Sequence, residues 1–176
     1  FSSTLNIAYC SIDYDSTAQK VVVGYQDVDP GSGHGYAVVG TVSGTSISYG
    51  TPVVFESATT TQTATTYDAN ADRTVISYRD GGNSNYGTSI VGTVSGTGIS
   101  FGTAVVFNGS DNEYLASTYD STAQKVVIAY QDAGNSYYGT AIVGTVSGTA
   151  ISFGTEVVFN AVSSNYMGST YDANAN

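Results

Sequence analysis

Three short runs in this chain place a carboxylate two residues after a phenol ring: Tyr25-Gln-Asp27, Tyr78-Arg-Asp80 and Tyr130-Gln-Asp132. A phenol ring stacks on the apolar face of a pyranose while a nearby carboxylate accepts its hydroxyl protons. Tyr25, Asp27, Tyr78, Asp80, Tyr130 and Asp132 are therefore candidate glycan contacts. The same residues also have a structural use, with Tyr filling the space between sheets and Asp capping the turn that follows. A two-carboxylate glycosidase needs unlike environments, one holding a protonated carboxyl and the other an ionised one. Copies of one run supply like environments, so no enzymatic activity and no catalytic residue are expected.

The runs belong to a longer repeat. Tyr14-Asp15, Tyr67-Asp68, Tyr119-Asp120 and Tyr171-Asp172 recur after 53, 52 and 52 residues. Val-Gly-Thr-Val-Ser-Gly begins at Val39, Val91 and Val143, and Val-Val-Phe ends at Phe55, Phe107 and Phe159. Periods of this length mark arrays in which one unit cannot bury its apolar face without stacked neighbours. Residues 1–176 read as one array, with units at about 5–57, 58–109 and 110–161, then the first strand of a fourth over 162–176. Stopping just inside a fourth unit, the chain is expected to be a piece of a longer array.

Each unit predicts four strands and no helix. The first covers Leu5 to Tyr14, Thr61 to Tyr67, Glu113 to Tyr119 and Asn165 to Tyr171, and is rich in Thr, Ser, Ala and Gly. The second, such as Val126-Val-Ile-Ala-Tyr130, is apolar on both faces and so is covered on both sides. The third runs to a Ser-Gly-Thr hairpin at residues 43–45, 95–97 and 147–149. The fourth is interrupted by Gly50, Gly102 or Gly154, and Pro52 on it suits an edge. The expected fold is all-β: four-stranded antiparallel blades in tandem, β-propeller-like, three blades plus a spare strand. A β-solenoid and a string of sandwiches are the alternatives. Three blades do not close a ring, so the expected partners are further copies of the chain or the remaining blades of a longer parent chain.

The Tyr-x-Asp ending of the second strand and the Ser-Gly-Thr hairpin resemble the blade pattern of sialidase-like and related carbohydrate-active propellers, across all three full units. The near-identity of the units resembles tandem-repeat proteins of cell surfaces, secreted fibres and phage tail fibres. The hairpin lacks the Asp and Trp of the Asp box that such blades carry. Sialidase chemistry would also need cations converging on a substrate carboxylate, and Lys20, Arg73, Arg79 and Lys125 are the only cationic residues in the chain. The expected function is thus a structural or adhesive module of an extracellular repeat protein, part of a fibre or surface assembly. A lectin-like propeller binding glycans is the alternative, followed by a glycoside hydrolase fragment.

Composition narrows the setting. Charged residues make up 10% of the chain and the net charge is −10, against about 25% charged residues in an ordinary soluble protein. A surface solvated by hydroxyls suits an extracellular or particle-surface location. Scarce cations disfavour nucleic acid and anionic membranes, and no apolar run is long enough to insert in a bilayer. Cys10 is the single cysteine, expected as a packed thiol without disulfide. Asp68-Ala-Asn70-Ala-Asp72 has the alternating oxygens of a calcium loop, but its repeat equivalents keep one carboxylate, so a turn is expected and no metal or cofactor. His34 reads as an exposed loop residue, and Asn108-Gly-Ser110 as a glycosylation sequon in an accessible loop.

Overall fold

A computed structural model describes residues 6–29 and 31–174, which form antiparallel β-sheet with no α-helix among them. The expected strand start at Leu5 lies outside the described residues, as do the last two residues of the fourth unit. The first unit contains β1 (Ile7–Asp15), β2 (Lys20–Asp27), β3 (Gly35–Ser43), β4 (Ser46–Tyr49) and β5 (Val53–Glu56). β1, β2 and β3 pair in order, and β4 and β5 both pair with β3, as one outer strand broken in two. Pro52 falls in that break rather than within the ladder, so its missing N–H costs no sheet bond.

The second unit repeats the pattern with β6 (Thr60–Asp68), β7 (Arg73–Asp80), β8 (Tyr86–Ser95) and β9 (Gly98–Phe101). Next come β10 (Val105–Asp120), β11 (Lys125–Asp132), β12 (Tyr138–Ser147), β13 (Ala150–Phe153) and β14 (Val157–Ser163). β10 serves two units. Its start pairs with β8 and its remainder with β11, so the second and third units share one nine-stranded sheet. The expected boundary between them is therefore a strand interior, whereas the corresponding link in the first unit, residues 57–59, interrupts the chain between β5 and β6.

The spare strand expected after residue 162 does not form. β14 ends at Ser163 and residues 164–172 carry no ladder. An innermost strand pairs with the second strand of its own unit, and this segment has no such partner among the described residues. It nonetheless follows the third unit, with Gln131 Nε2 donating to Ser164 O at 2.8 Å and Thr122 Oγ1 lying 2.6 Å from Tyr171 Oη.

Hairpin geometry explains the Ser-Gly-Thr runs. Gly44, Gly96 and Gly148 open two-residue turns at φ 58°, 61° and 61°, where a side chain would be strained. The units then meet along their innermost strands. Ser11 Oγ lies 2.7 Å from Thr65 Oγ1, Thr63 Oγ1 donates to Tyr9 O, the hydroxyls of Thr66 and Ser117 are bonded, and Tyr67 N donates to Asp13 Oδ2 at 2.7 Å. Small hydroxyl side chains allow this approach. Two apolar cores result, each made between neighbouring units: one joins Val22, Val39 and Phe55 to Ile76, Tyr78 and Ile99, the other Val75, Val91 and Phe107 to Ile128, Tyr130 and Ile151. At the outer strands, a Cβ on Gly50 would fall 2.0 Å from Thr97 O of the next unit, and one on Gly102 2.0 Å from Thr149 O. Those glycines admit the neighbouring hairpin.

Candidate functional site

The Tyr-x-Asp runs close the second strand of each unit, and the rings of Tyr78 and Tyr130 lie in the two cores. Tyr25, Tyr78 and Tyr130 are buried, as are Asp27, Asp80 and Asp132. Tyr78 packs 5.2 Å from Phe55 of the preceding unit, and Tyr130 5.2 Å from Phe107. Tyr25 instead stacks on Tyr36 of its own unit at 5.8 Å. Burial, then the Tyr36 and Asp27 charges, pushes the Tyr25 phenol up to about 12. Burial raises Tyr78 and Tyr130 as well, with Glu56 or Glu156 adding to it. The carboxylates cap turns: Asp29 N, Gly82 N and Gly134 N donate to Asp27, Asp80 and Asp132, each at 2.9 Å. Asp80 is raised above the usual carboxyl value by burial and by Glu56. These rings have no free face for a sugar.

The middle residues of the second and third runs contact the segment that follows their unit. Arg79 forms a bidentate pair with Asp111 of the next unit, Nε to Oδ1 at 2.6 Å and an amino nitrogen to Oδ2 at 2.9 Å. Gln131 reaches the fourth segment, with its amide 2.6 Å from Asn165 Oδ1. Arg79 thus sits at the start of the third unit's inner strand, beside a second recurrent feature. Inner strands bulge after Ala8, Thr61 and Glu113. At each bulge a non-glycine residue takes a left-handed backbone, with φ 49° at Tyr9, 57° at Gln62 and 52° at Tyr114, and Tyr166 repeats it at 55°.

Tyr9, Gln62, Tyr114 and Tyr166 were not singled out by motif reasoning, because nothing in a Ser- and Thr-rich strand announces a bulge. Their signal is positional: three tyrosines and a glutamine at one repeat position, ahead of the small residues. The rings of Tyr114 and Tyr166 are 5.0 Å apart and tilted by 53°, and Tyr114 N donates to Gln62 Oε1 at 3.2 Å. Desolvation, then Tyr166, Glu113 and Tyr9, raises the Tyr114 hydroxyl above its ordinary value. Tyr9 adjoins Gln62 through its carbonyl, which accepts from Thr63 Oγ1. Directly beyond lies a hollow of about 200 Å³ between the inner strands, lined by Ser11, Thr63, Thr65, Leu115, Ser117 and Ser169 among others.

The remaining sequence motifs are structural. Thr17 N and Ala18 N donate to Asp15 Oδ1, and Asp68 and Asp120 accept from their own turns in the same way. Asp68 Oδ1 is thus occupied by backbone N–H groups, and no group of three metal-ligating residues occurs among the described residues. Lys20, Arg73 and Lys125 pair in register with these aspartates, but the ion pair among the described residues is Arg79 with Asp111. Asn108 is buried inside β10 rather than in an accessible loop. Its amide donates to Glu156 Oε1 at 2.9 Å and Asp132 Oδ2 at 3.3 Å, and its carbonyl accepts from Ser110 N and Asn112 Nδ2. A glycan on that nitrogen would break the contacts. Cys10 is exposed rather than packed: a preceding unit covers its equivalents Thr63 and Leu115, and no unit among the described residues covers Cys10 in that way. His34 is half-buried, its ring 6.4 Å from that of Tyr36.

Compared with protein families, with curated proteins and with solved structures, the chain matches none. No helix among the described residues is long and apolar enough to cross a membrane.

Proposed function

We propose that this chain is a structural module of an extracellular or particle-surface repeat protein, in which blade-like units arranged as in a β-propeller extend a fibre or surface assembly. The observation that carries this reading is the change in cover along one repeated residue. Phe55 and Phe107 are 8% and 6% exposed because the next unit's tyrosine and phenylalanine close over them, while Phe159 is 58% exposed. Val157 and Val162 beside it are exposed too. The partner that fits this face is a further unit of the same kind, from a second copy or from a longer parent chain. Its tyrosine would seat on Phe159 as Tyr130 seats on Phe107. Small-residue inner strands, doubly covered second strands and broken outer strands support the propeller-like arrangement.

Sedimentation of the chain across a concentration series, with and without Phe159→Asp, tests the first source of cover. A copy of residues 125–161 appended after Asn176, which completes the fourth unit in register, tests the second. Concentration-dependent association lost in the variant, or a rise in melting temperature on extension, supports the module reading. A chain that neither associates nor gains stability on extension overturns it.

A further inference from the structure

We propose that the rim formed by Tyr9, Gln62, Tyr114 and Tyr166, together with the hollow behind it, binds a neutral pyranose glycan. The site is separate from the buried Tyr-x-Asp runs and does not rest on the assembly reading.

Backbone strain is the first observation. A left-handed backbone is strained for a residue with a side chain, and glycine, which adopts it freely, is abundant elsewhere in the chain. Yet the three bulges carry Tyr, Gln and Tyr, and Tyr166 holds the same backbone angle at the equivalent position. The bulge itself would form more readily with glycine, so the side chain is what the position retains.

Tyr9 and Tyr166 are presented to solvent, and Gln62 and Tyr114 are half-buried beside them. Tyr9 is 46% exposed and Tyr166 86%, unlike the core tyrosines. The tilted Tyr114 and Tyr166 rings give two aromatic faces set at an angle. Sugars are held by such faces through their apolar C–H surface, with polar groups fixing the hydroxyls. Here the polar groups are Glu113, next to Tyr114 in the chain, the hydroxyls of Ser11, Thr65, Ser117 and Ser169, and Thr63, which accepts only because its proton goes to Tyr9 O. Gln62 and Tyr114 directly precede Thr63 and Leu115 of the lining, so rim and hollow are continuous. At about 200 Å³ the hollow is smaller than the roughly 300–1,000 Å³ of drug-sized pockets, a size for one sugar ring.

Charge selects the class of glycan. Arg79, the cation of the rim, is held by both oxygens of Asp111, and Glu113 adds a further negative charge. Lys20, Arg73 and Lys125 stand at the opposite ends of the inner strands, beside the turns after Asp15, Asp68 and Asp120. With a net charge of −10, a carboxylated or sulfated sugar meets repulsion and no free cation at the rim.

Saturation-transfer NMR and calorimetry with the methyl glycosides of galactose, glucose, mannose and N-acetylglucosamine, and with sialyllactose, test the site. The variants are Tyr114→Gly and Tyr166→Gly, which remove a ring while relieving the backbone, so that melting temperature should hold or rise. Saturable binding of at least one neutral glycoside is expected, weakened at least tenfold by each variant and unchanged by Phe159→Asp. Absence of saturable binding at millimolar glycoside, binding of sialyllactose alone, or undiminished binding by the doubly substituted chain would each overturn the proposal.

Discussion

Phe107 and Phe159 end the same local sequence, Val-Val-Phe, on equivalent outer strands, and both strands pair with the third strand of their unit. One ring lies in a core and the other faces solvent. The first unit shows the same contrast from the opposite side: Tyr14 is 51% exposed where its equivalent Tyr67 is 6% exposed, with Tyr67 Oη 2.7 Å from Thr17 Oγ1 of the turn before it. A unit therefore forms its ladder alone but borrows its cover. The two ends also differ from each other. Tyr36 stands where later units have Thr88 and Thr140, and its ring covers Tyr25, a contact made at Tyr78 by the preceding unit's Phe55. No comparable substitution covers Phe159.

Alkaline titration separates the covered class from the exposed class over the whole molecule, and is expected to have the largest effect. An unfolded tyrosine releases its proton near pH 10, whereas the folded chain holds that of Tyr25 up to about 12, and burial raises Tyr78 and Tyr130 too. Stability from these groups is fully present below about pH 10 and is lost as pH rises from there through the folded-state values. Tyrosinate absorbance should climb in two steps, the later one coinciding with loss of the β-sheet circular dichroism. A single smooth titration with the sheet signal intact would break the division.

Truncating the paired phenylalanines sharpens it. Phe107→Ala should lower unfolding stability by about 3–5 kcal/mol, because it empties a space between two units, and Phe159→Ala by no more than about 0.5 kcal/mol in the monomer. Equal losses in urea denaturation would mean that cover by a neighbour is not what holds the core. A smaller difference is expected at the outer glycines. Gly102→Ala drives a methyl against the Thr149 carbonyl and should cost about 1–3 kcal/mol. At Gly154 the nearest atom to a Cβ is 3.8 Å away, so Gly154→Ala should leave the thermal midpoint almost unchanged.

Much of this architecture was legible in residue order. The second strands, β2, β7 and β11, begin and end within about two residues of the Val- and Ile-rich runs, because apolar residues on both faces have no stable place outside a covered sheet. Hairpins followed from glycine, and capped turns from aspartate, since both are decided by bonds within a few residues. The run-through of β10 was not legible: Asn-Gly-Ser-Asp-Asn at 108–112 reads as a loop, and becomes strand because β8 pairs along it and Asn112 N donates to Asn85 O at 3.2 Å. The left-handed inner-strand positions were not legible for a related reason. Tyr-x-Asp stands out as chemistry, but the ring belongs to the interior, while Tyr9 and Tyr166 are exposed on a left-handed backbone that no residue type in those segments demands.

By itself, residue order determined the repeat, the strand character, the hairpins and the turn caps, all set by local backbone preference and by which stretches are too apolar to face water. Tertiary structure alone decided which of several equivalent residues is buried, where one unit's strand becomes the next unit's, and which tyrosines meet solvent. Those outcomes depend on a neighbour packed against each unit, and closely similar segments with different neighbours bury different atoms.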